Sequence, residues 1–394
     1  MNRREGTITP RGKTSWQLKF DVPSEDGKRK TIRETVTARN RSEARKLLTA
    51  RLNERDTGIL VEPNRISLVE AVLDAVSAAR YVAKFDLRCR EIVRLHIEPF
   101  FGNRRLQDIR PVDLDKFQTA LRHKTHRNRP LADATVIQIV KLVRRALKRA
   151  TALQLIGRNP ALGVALPKRQ RHEITILAVA DLQRLVEGLG AHPWPSLSRL
   201  APLTFCAAHT GARLGELCAM RWCDLDLAAG TWKIHRSFEQ VGRELKIRPC
   251  KNAASRRVIN LGPALVAHLK EHKAAQATRL LAQGRRVKLE DLVFDDGAGN
   301  AVSSNTVSAN WGKALNRLDC TPRVKFHSLR HLHASLAIAA GVDVLSLSRR
   351  LGHADVKTTI DIYGHLIPST DIGAANAVDA MLAGGGRASP PPSA

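Results

Sequence analysis

Apolar and polar residues alternate near the start of the chain, a pattern typical of strands that bury one face. The segment "SWQLKFDV" is followed by the turn sequence "PSEDGK" and by a second alternating run, "RKTIRETV". A weaker strand is predicted at "GTITP". The alternation therefore predicts a three-stranded sheet with one apolar face. In the clearest strand, the apolar positions are Trp16, Leu18, Phe20 and Val22.

Helical spacing replaces the alternation near residue 40. Asn40, with Glu43 three residues later, is typical of a helix start. Residues 1–58 are therefore predicted to form a small module of three strands and one helix. Within residues 1–60, 15 Lys and Arg stand against 8 Asp and Glu. Such a basic sheet could enter a DNA groove, or it could be a solvated accessory domain.

Residues 66–156 show helical spacing with two interruptions. Ser67 and Glu70 form a capping box that predicts the start of the first helix. Pro111 suits the first position of another helix, and "FFGNRRL" and "RHKTHRNRP" interrupt the pattern. This region is predicted to be an all-α domain.

The segment "ATVIQIVKLVRRALKRATAL" predicts a helix with two opposite faces, one apolar and one carrying four cations. Solvated charged faces usually mix signs, but no acidic residue occurs between Ala134 and Arg171. We interpret the four cations as a DNA-contacting surface, because phosphates would neutralise their repulsion; a solvated face is the alternative. This basic stripe consists of Lys141, Arg144, Arg145 and Lys148.

The rest of the chain begins with a linker at about residues 157–173, which is rich in proline, glycine and basic residues. Residues 173–383 mix helical and strand patterns, and "TWKIHRSF", "LKIRP" and "RRVINL" are predicted to be three short strands. The low-complexity end, residues 384–394, is predicted to be disordered. The patterns together predict a multidomain α+β protein: a sheet-plus-helix module, an all-α domain, and a mixed, mainly helical domain with a small antiparallel sheet.

Charge narrows the choice of partner. The 394 residues include 65 Lys and Arg against 37 Asp and Glu, a formal net charge of +28, which favours a polyanion. We find no apolar run of about 18 residues that could span a bilayer, and "MNRREGTITP" has no apolar signal core. Nucleic acid is thus the expected partner, without a membrane.

The six cysteines are scattered without a C-x-x-C pair, as in reduced cytoplasmic proteins.

Polar residues in the last region have spacings that suggest chemistry. "HTGARLGELCAMRW" holds Arg213 with Glu216 one turn later, and "CKNAASRR" places Lys251 in a turn between two predicted strands. A salt bridge and a solvated lysine are the ordinary structural interpretations. Neither residue indicates a function by itself.

Histidines and a tyrosine follow. "FHSLRHLHAS" sets His327, Arg330 and His331 on one face of a helical turn. "LGHADVKTTIDIYGHL" contains His353 and, ten residues later, Tyr363, one of only two tyrosines. A hydrogen-bonded cluster and a core aromatic residue are again the ordinary interpretations.

Metal chemistry does not suit this set. His327 and His331 have the i, i+4 spacing of zinc proteases, but the residues between them include the cation Arg330 and no Glu, and a cation repels the metal. These segments also lack the cluster of carboxylates that would hold Mg²⁺. The residues suit metal-free attack on a phosphodiester, in which guanidinium groups offset phosphate charge and a histidine accepts the proton of a tyrosine. We therefore expect no metal and no cofactor.

The segments resemble the tyrosine recombinases, the phage-type integrases, over most of the chain. Six positions match the family in order, spaced 38, 76, 3, 23 and 10 residues apart. Ala212, Ser328 and His333 differ from the commoner family residues, and it stays open whether His331 or His333 joins the site. The matching catalytic positions are Arg213, Lys251, His327, Arg330, His353 and Tyr363.

The resemblance implies a role for each position. Tyr363 would attack the scissile phosphate and form a 3′-phosphotyrosyl link. Arg213 and Arg330 would clamp the phosphate, His327 would be the base, and His353 would donate a hydrogen bond to a phosphate oxygen. Lys251 would be the general acid for the leaving 5′-oxygen.

The resemblance also implies an organisation and partners. Residues 1–58 become an arm-type DNA-binding domain, residues 66–156 a SAM-like core-binding domain, and residues 173–383 the catalytic domain. The expected partners are double-stranded DNA at core and arm sites, three further copies in a tetramer on DNA, and an accessory DNA-bending or directionality protein. The expected location is the cytoplasm, associated with the nucleoid.

Two other functions stay open: a type IB topoisomerase, which relaxes DNA by the same chemistry, and a DNA-binding regulator without activity. The end of the chain adds a further question. The segment "STDIGAANAVDAML" predicts a short helix with one apolar stripe that includes Val378 and Leu382. That stripe must pack either on its own domain or on a neighbouring copy.

Overall fold

The chain divides into two compact units, residues 1–171 and residues 172–394. Each unit is described by itself below. Within the described ranges, no helix is long and apolar enough to cross a membrane. The computed structural model describes residues 6–23, 29–57, 60–61, 63–126, 129–167, 175–241, 244–250, 253–366, 378–380 and 382–383.

The first unit begins with the predicted sheet and helix. The three strands form an antiparallel sheet in chain order. Leu18 and Phe20 of the second strand are buried against Leu48 of the helix, and the Asn40 side chain accepts a hydrogen bond from the backbone N–H of Glu43. The alternation and the helix start are both confirmed. The elements are β1 (Thr7–Pro10), β2 (Ser15–Pro23), β3 (Arg29–Thr37) and α1 (Arg41–Asp56).

Five α-helices follow in the described part of the first unit. Ser67 and Glu70 form the predicted capping box, and a π-helical turn over Val93–Ile97 joins the second and third of these helices. The prediction of helices alone misses two short antiparallel strands within "RHKTHRNRP", where Thr125 pairs with Pro130. The elements are α2 (Leu68–Ala78), α3 (Ala83–Ile92), α4 (Glu98–Phe101), α5 (Pro111–His123), β4 (Thr125–His126), β5 (Arg129–Pro130) and α6 (Asp133–Ala152).

The second unit is mainly helical and packs around one large core that includes Trp222, Trp232 and Trp311. Its elements are α7 (Val179–Gly190), α8 (Pro195–Ser198), α9 (Leu200–Thr210), α10 (Leu214–Cys218), β6 (Leu225–Asp226), β7 (Thr231–Ile234), β8 (Arg236–Val241), β9 (Glu244–Pro249), β10 (Arg257–Asn260), α11 (Pro263–Leu281), α12 (Ser304–Arg317), α13 (Ser328–Ala339), α14 (Val344–Leu351) and α15 (Val356–Tyr363).

The strands of this unit form two antiparallel sheets rather than one. The segment "TWKIHRSF" is divided at His235. In the part of the chain that the structure describes, β7 pairs with β10 and β6, whereas β8 pairs with β9. The backbone N–H of Cys250, just after β9, donates to the His235 carbonyl and closes the break. The prediction of one continuous strand there was wrong, because the division depends on pairing with residues far along the chain.

Two helices of the second unit end at glycines. Gly211 ends α9 and Gly352 ends α14, both in the left-handed conformation at φ of 63° and 69°, which a glycine adopts without a steric penalty. A helix end in this conformation leaves its last carbonyl groups available to side chains. The predicted disordered segment 384–394 lies outside the described residues.

Candidate active site

Arg213 stands at the start of α10, directly after the Gly211 turn. Its backbone N–H and its guanidinium Nη1 both donate to the carboxylate of Glu216, each at 3.0 Å. Its Nη2 donates to the Gly352 carbonyl at 2.8 Å. The Arg213–Glu216 spacing of one turn thus fixes the guanidinium between two acceptors.

Arg330, on α13, is 4% exposed. Its Nη1 donates to the Gly211 carbonyl at 2.7 Å and its Nη2 to the Leu351 carbonyl at 2.8 Å. Burial, together with the charge of Arg213, lowers the pKa of Arg330 to about 10. The guanidinium therefore stays charged at neutral pH.

Three successive carbonyl groups at the end of α14 each accept a hydrogen bond from an arginine. Arg257 donates to the Arg350 carbonyl at 2.7 Å, and the next two carbonyls hold Arg330 and Arg213. The carboxyl end of a helix carries partial negative charge and favours cations. This helix end and the Glu216 carboxylate offset much of the repulsion among the three guanidinium groups.

Glu216 is the only carboxylate hydrogen-bonded to these arginines among the described residues, and its side chain is 3% exposed. Burial by itself would raise the pKa of Glu216. Hydrogen bonds and charge from Arg257 and Arg213 outweigh that effect, and the pKa is lowered. Glu216 is therefore ionised at neutral pH and attracts both arginines.

Tyr363 is the last residue of α15 and is 2% exposed. Its ring packs in a cluster with Ile338, Leu347 and Leu351, and its Oη lies 2.8 Å from His331 Nδ1. Burial raises the pKa of Tyr363 to about 12, against the opposing charge of Arg330. The tyrosine is thus a core aromatic residue and also the hydrogen-bond partner of an imidazole in the predicted site.

His327 and His353 flank this arrangement. The His327 ring lies 5.1 Å from the His331 ring, between centroids, and His353 Nδ1 lies 2.8 Å from the hydroxyl of buried Thr359. Burial, with the charges of neighbouring residues, lowers the pKa of His327 and of His353 to about 4. Both imidazoles are neutral at pH 7.

His331 and His333 differ in the groups that they contact. His331 contacts Tyr363, whereas His333 lies 2.9 Å through Nδ1 from the Ala208 carbonyl and accepts through Nε2 from Arg350 at 3.1 Å. His333 thus supports the helix end that holds the arginines. Sequence spacing alone gives both histidines a similar claim, because they are only two residues apart.

Lys251 falls outside the described residues, between the end of β9 and the turn before β10. Five of the six predicted catalytic positions are therefore described, and the structure brings Arg213, Arg330, His327, His353 and Tyr363 into one region of the second unit through the contacts above. Within the described part of the chain, no group of three or more His, Cys, Asp or Glu side chains is arranged to hold a metal ion.

The four cations of the basic stripe on α6 differ from one another. Lys141, Arg145 and Lys148 are exposed, and the Arg145 guanidinium lies 5.3 Å from the centre of the Tyr81 ring. Arg144 is half-buried and donates to the Val164 carbonyl at 2.9 Å. One of its N–H groups is therefore already used within the first unit.

Sequence reasoning missed Arg257. Arg257 is the second of two consecutive arginines in "ASRRVIN", which resemble ordinary surface charges on a strand. Only the alternation of the strand indicates that Arg257 and Ile259 point to the same side. Its partners lie 41 and 93 residues away in the chain. No local pattern reports contacts of that range.

Comparison with known families gives two matches. The phage integrase family matches residues 177–369, and the SAM-like domain found at the N-terminus of phage integrases matches residues 88–122. A tyrosine recombinase XerC-like protein of Caldanaerobacter subterraneus subsp. tengcongensis is 30% identical over 234 residues, which cover 54% of this chain and 57% of the relative. The chain thus spans less than two thirds of that relative's length.

Two solved structures share the fold. The Tn1549 transposon integrase in complex with transposon right end DNA is 14% identical, with a TM-score of 0.67, over 81% of this chain and 100% of that chain. A lambda integrase tetramer bound to a Holliday junction is 16% identical, with a TM-score of 0.53, over 91% of this chain and 96% of that chain.

Proposed function

Because the chain belongs to the phage integrase family of tyrosine recombinases, we propose that it cuts and rejoins DNA at specific sites with Tyr363 as the nucleophile. The observation that carries the proposal is the Tyr363 hydroxyl held by His331 beside two arginines whose guanidinium groups are fixed on helix-end carbonyls. Cations fixed in this way, of which Arg330 is also buried, stabilise charge that develops in a transition state.

The reaction conserves the phosphodiester energy. The Tyr363 oxygen attacks the scissile phosphorus, the bond from phosphorus to the 5′-oxygen breaks, and a 3′-phosphotyrosyl link forms with release of a 5′-hydroxyl. The 5′-hydroxyl of a partner strand then attacks that link and regenerates the tyrosine. No nucleotide cofactor is required.

The proton of Tyr363 needs an acceptor, because a phenol is neutral at pH 7 and burial raises its pKa further, to about 12. We assign acceptance to His331, whose neutral ring already contacts the hydroxyl. His331 is thus proposed as the base in place of the expected His327. His327 and His353 would then donate hydrogen bonds to the phosphate. Since Tyr363 is 2% exposed, α15 must shift before the oxygen can reach a phosphate.

Charge on the pentacoordinate phosphorus is offset by Arg213 and Arg330. Each guanidinium keeps further N–H groups beyond those used for backbone carbonyls. The leaving 5′-oxygen needs a proton, and Lys251 is proposed as the donor from the family resemblance alone.

DNA contacts are proposed at two places in the first unit. Residues 1–58 would bind an arm site. Residues 66–156 would bind a core site through the exposed members of the basic stripe. We propose that four copies act together on DNA, since lambda integrase is a tetramer bound to a Holliday junction in its structure. We also propose that the protein acts in the cytoplasm, with an accessory protein that bends DNA or sets direction. In footprinting, a chain lacking residues 1–58 should lose protection of a separate arm site while it keeps the core site.

The test separates recombination from the alternatives. Purified protein is incubated with two duplexes that carry the attachment site, taken from the DNA flanking its gene, and with a supercoiled plasmid without that site. Strand exchange between the duplexes, absent for Tyr363→Phe, is expected. Relaxation of the plasmid without exchange would favour a type IB topoisomerase, and binding without cleavage would favour a regulator.

A further inference from the structure

Arg257 has more hydrogen bonds to the protein than either arginine predicted from the sequence. Its side chain is 7% exposed. Its Nε donates to the Arg350 carbonyl at 2.7 Å, and Nη1 donates to the Ser255 carbonyl at 3.2 Å. Nη1 and Nη2 also donate to the two oxygens of Glu216 at 3.3 and 3.0 Å. The planar guanidinium therefore joins three segments of the second unit.

The contacts of Arg257 with Glu216 and with the Arg350 carbonyl lie at or next to groups that hold a proposed phosphate-binding arginine. Glu216 is shared by Arg257 and Arg213. The Arg350 carbonyl directly precedes the Leu351 and Gly352 carbonyls, which accept from Arg330 and Arg213. Displacement of the Arg257 guanidinium would thus move the acceptors of both arginines at once.

The energetics argue against a purely structural salt bridge. A third guanidinium beside Arg213 and Arg330 adds repulsion among like charges within a mostly buried cluster. Among the residues that the structure describes, a single carboxylate, that of Glu216, forms ion pairs with this cluster. A fold that needed only a tie between β10 and α10 would reach it at lower cost with apolar packing.

A close approach at Gly352 supports the same conclusion. A Cβ atom at this position would lie 2.7 Å from Arg257 Nη1. The glycine therefore serves two purposes, since it adopts the left-handed helix end and also leaves room for the guanidinium.

We propose that Arg257 is a positioning residue that fixes Glu216 and the carbonyl end of α14, and thereby orients Arg213 and Arg330 toward the scissile phosphate. The role rests on the proposed recombinase function. Arg257 itself touches no reacting atom in this account.

The test uses Arg257→Lys in the full chain, which keeps the charge but cannot make the fork of hydrogen bonds. Single-turnover formation of the covalent adduct is measured on a suicide duplex with a normal scissile phosphate. The same rate is measured on a duplex whose scissile linkage is a neutral methylphosphonate. We expect the variant to bind DNA as the wild type does and to cleave the phosphate substrate about ten to a hundred times more slowly, as for small misplacements of catalytic groups.

The methylphosphonate distinguishes positioning from general weakening of the fold. Because it lacks the charge that Arg213 and Arg330 offset, the ratio of wild-type to variant rate should fall to near one on that substrate. The matched control is Arg279→Lys, since Arg279 similarly joins a buried carboxylate, Asp295, to a backbone carbonyl, but contacts no residue of the site. It should cleave both substrates at the wild-type rate.

Three results would overturn the inference. They are a variant that cleaves the phosphate substrate as fast as the wild type, an equal slowing on both substrates, and an equal slowing for the Arg279 control. If the lysine variant does not fold, Arg257→Gln, which can still donate to the Arg350 carbonyl, is measured in the same way. Absence of any adduct from the wild type would instead remove the proposed function, and the positioning role with it.

Discussion

The two cationic regions of the molecule use the same side chains in opposite ways. On α6, Lys141, Arg145 and Lys148 are exposed. In the second unit, Arg330 and Arg257 are buried, and each guanidinium is fixed by two or more backbone or carboxylate acceptors.

The difference separates affinity from catalysis. Exposed cations attract the DNA backbone through charge that salt screens strongly. Buried, fixed cations require desolvation when the protein folds, but they need no reorganisation when charge develops on a phosphate. We therefore expect substitutions in the two regions to change different measurements.

The largest effect is expected at Arg330. Arg330→Lys cannot donate to both the Gly211 and Leu351 carbonyls, so the rate of covalent adduct formation should fall by about a hundredfold to a thousandfold, as for the loss of an oxyanion-hole donor. Filter binding to an uncleavable duplex should change little. A variant that cleaves normally, or that loses binding as strongly as cleavage, would contradict the separation of the two regions.

Substitutions on α6 are expected to have a smaller effect, and to change DNA affinity rather than the cleavage rate. In the double variant Lys141→Gln and Lys148→Gln, DNA affinity should fall, and the slope of log affinity against log salt should lose about one unit per lysine. The cleavage rate at saturating protein should stay unchanged. Lys313, an exposed cation of α12, provides the control as Lys313→Gln. If the slope does not change, the basic stripe is only solvated.

The smallest effect concerns acid stability. Burial, followed by the charge of Arg350, lowers the pKa of His333 to about 4 in the folded protein, against about 6.5 for an unfolded chain. The unfolded state therefore binds more protons between these values, and stability falls as pH falls from about 6.5 toward 4. His333→Gln should show a smaller fall in melting temperature between pH 7 and pH 5 than the wild type. An identical fall for both proteins would show that His333 does not contribute.

Sequence reasoning works best here where chemistry is encoded locally. The pairs Asn40–Glu43 and Ser67–Glu70 lie within one helical turn, so their capping is readable without coordinates. The positions of Arg213, Arg330 and Tyr363 come from short motifs in a fixed order. Arg257 was missed because its partners are distant in the chain.

The end of the chain marks another limit. The predicted apolar stripe after Tyr363 falls partly on residues 367–377 and 381, which lie outside the described residues. Val378 and Leu382 are described and are 56% and 78% exposed. Whether they pack on a neighbouring copy thus stays a prediction.

Charged replacements at Val378 and Leu382 should weaken tetramer formation on DNA, measured by native gel shift. A loss of monomer melting temperature instead would indicate packing within the chain.

The central claim is that Tyr363 attacks DNA in a site built from fixed arginines, without a metal ion. The most direct measurement is mass spectrometry of the denatured adduct formed on a suicide duplex in excess EDTA. We predict that the nucleotide is attached to the peptide containing Tyr363, and that Tyr363→Phe binds the duplex but yields no adduct. An adduct on another residue, one that survives Tyr363→Phe, or cleavage that requires added Mg²⁺ or Zn²⁺ would contradict the account.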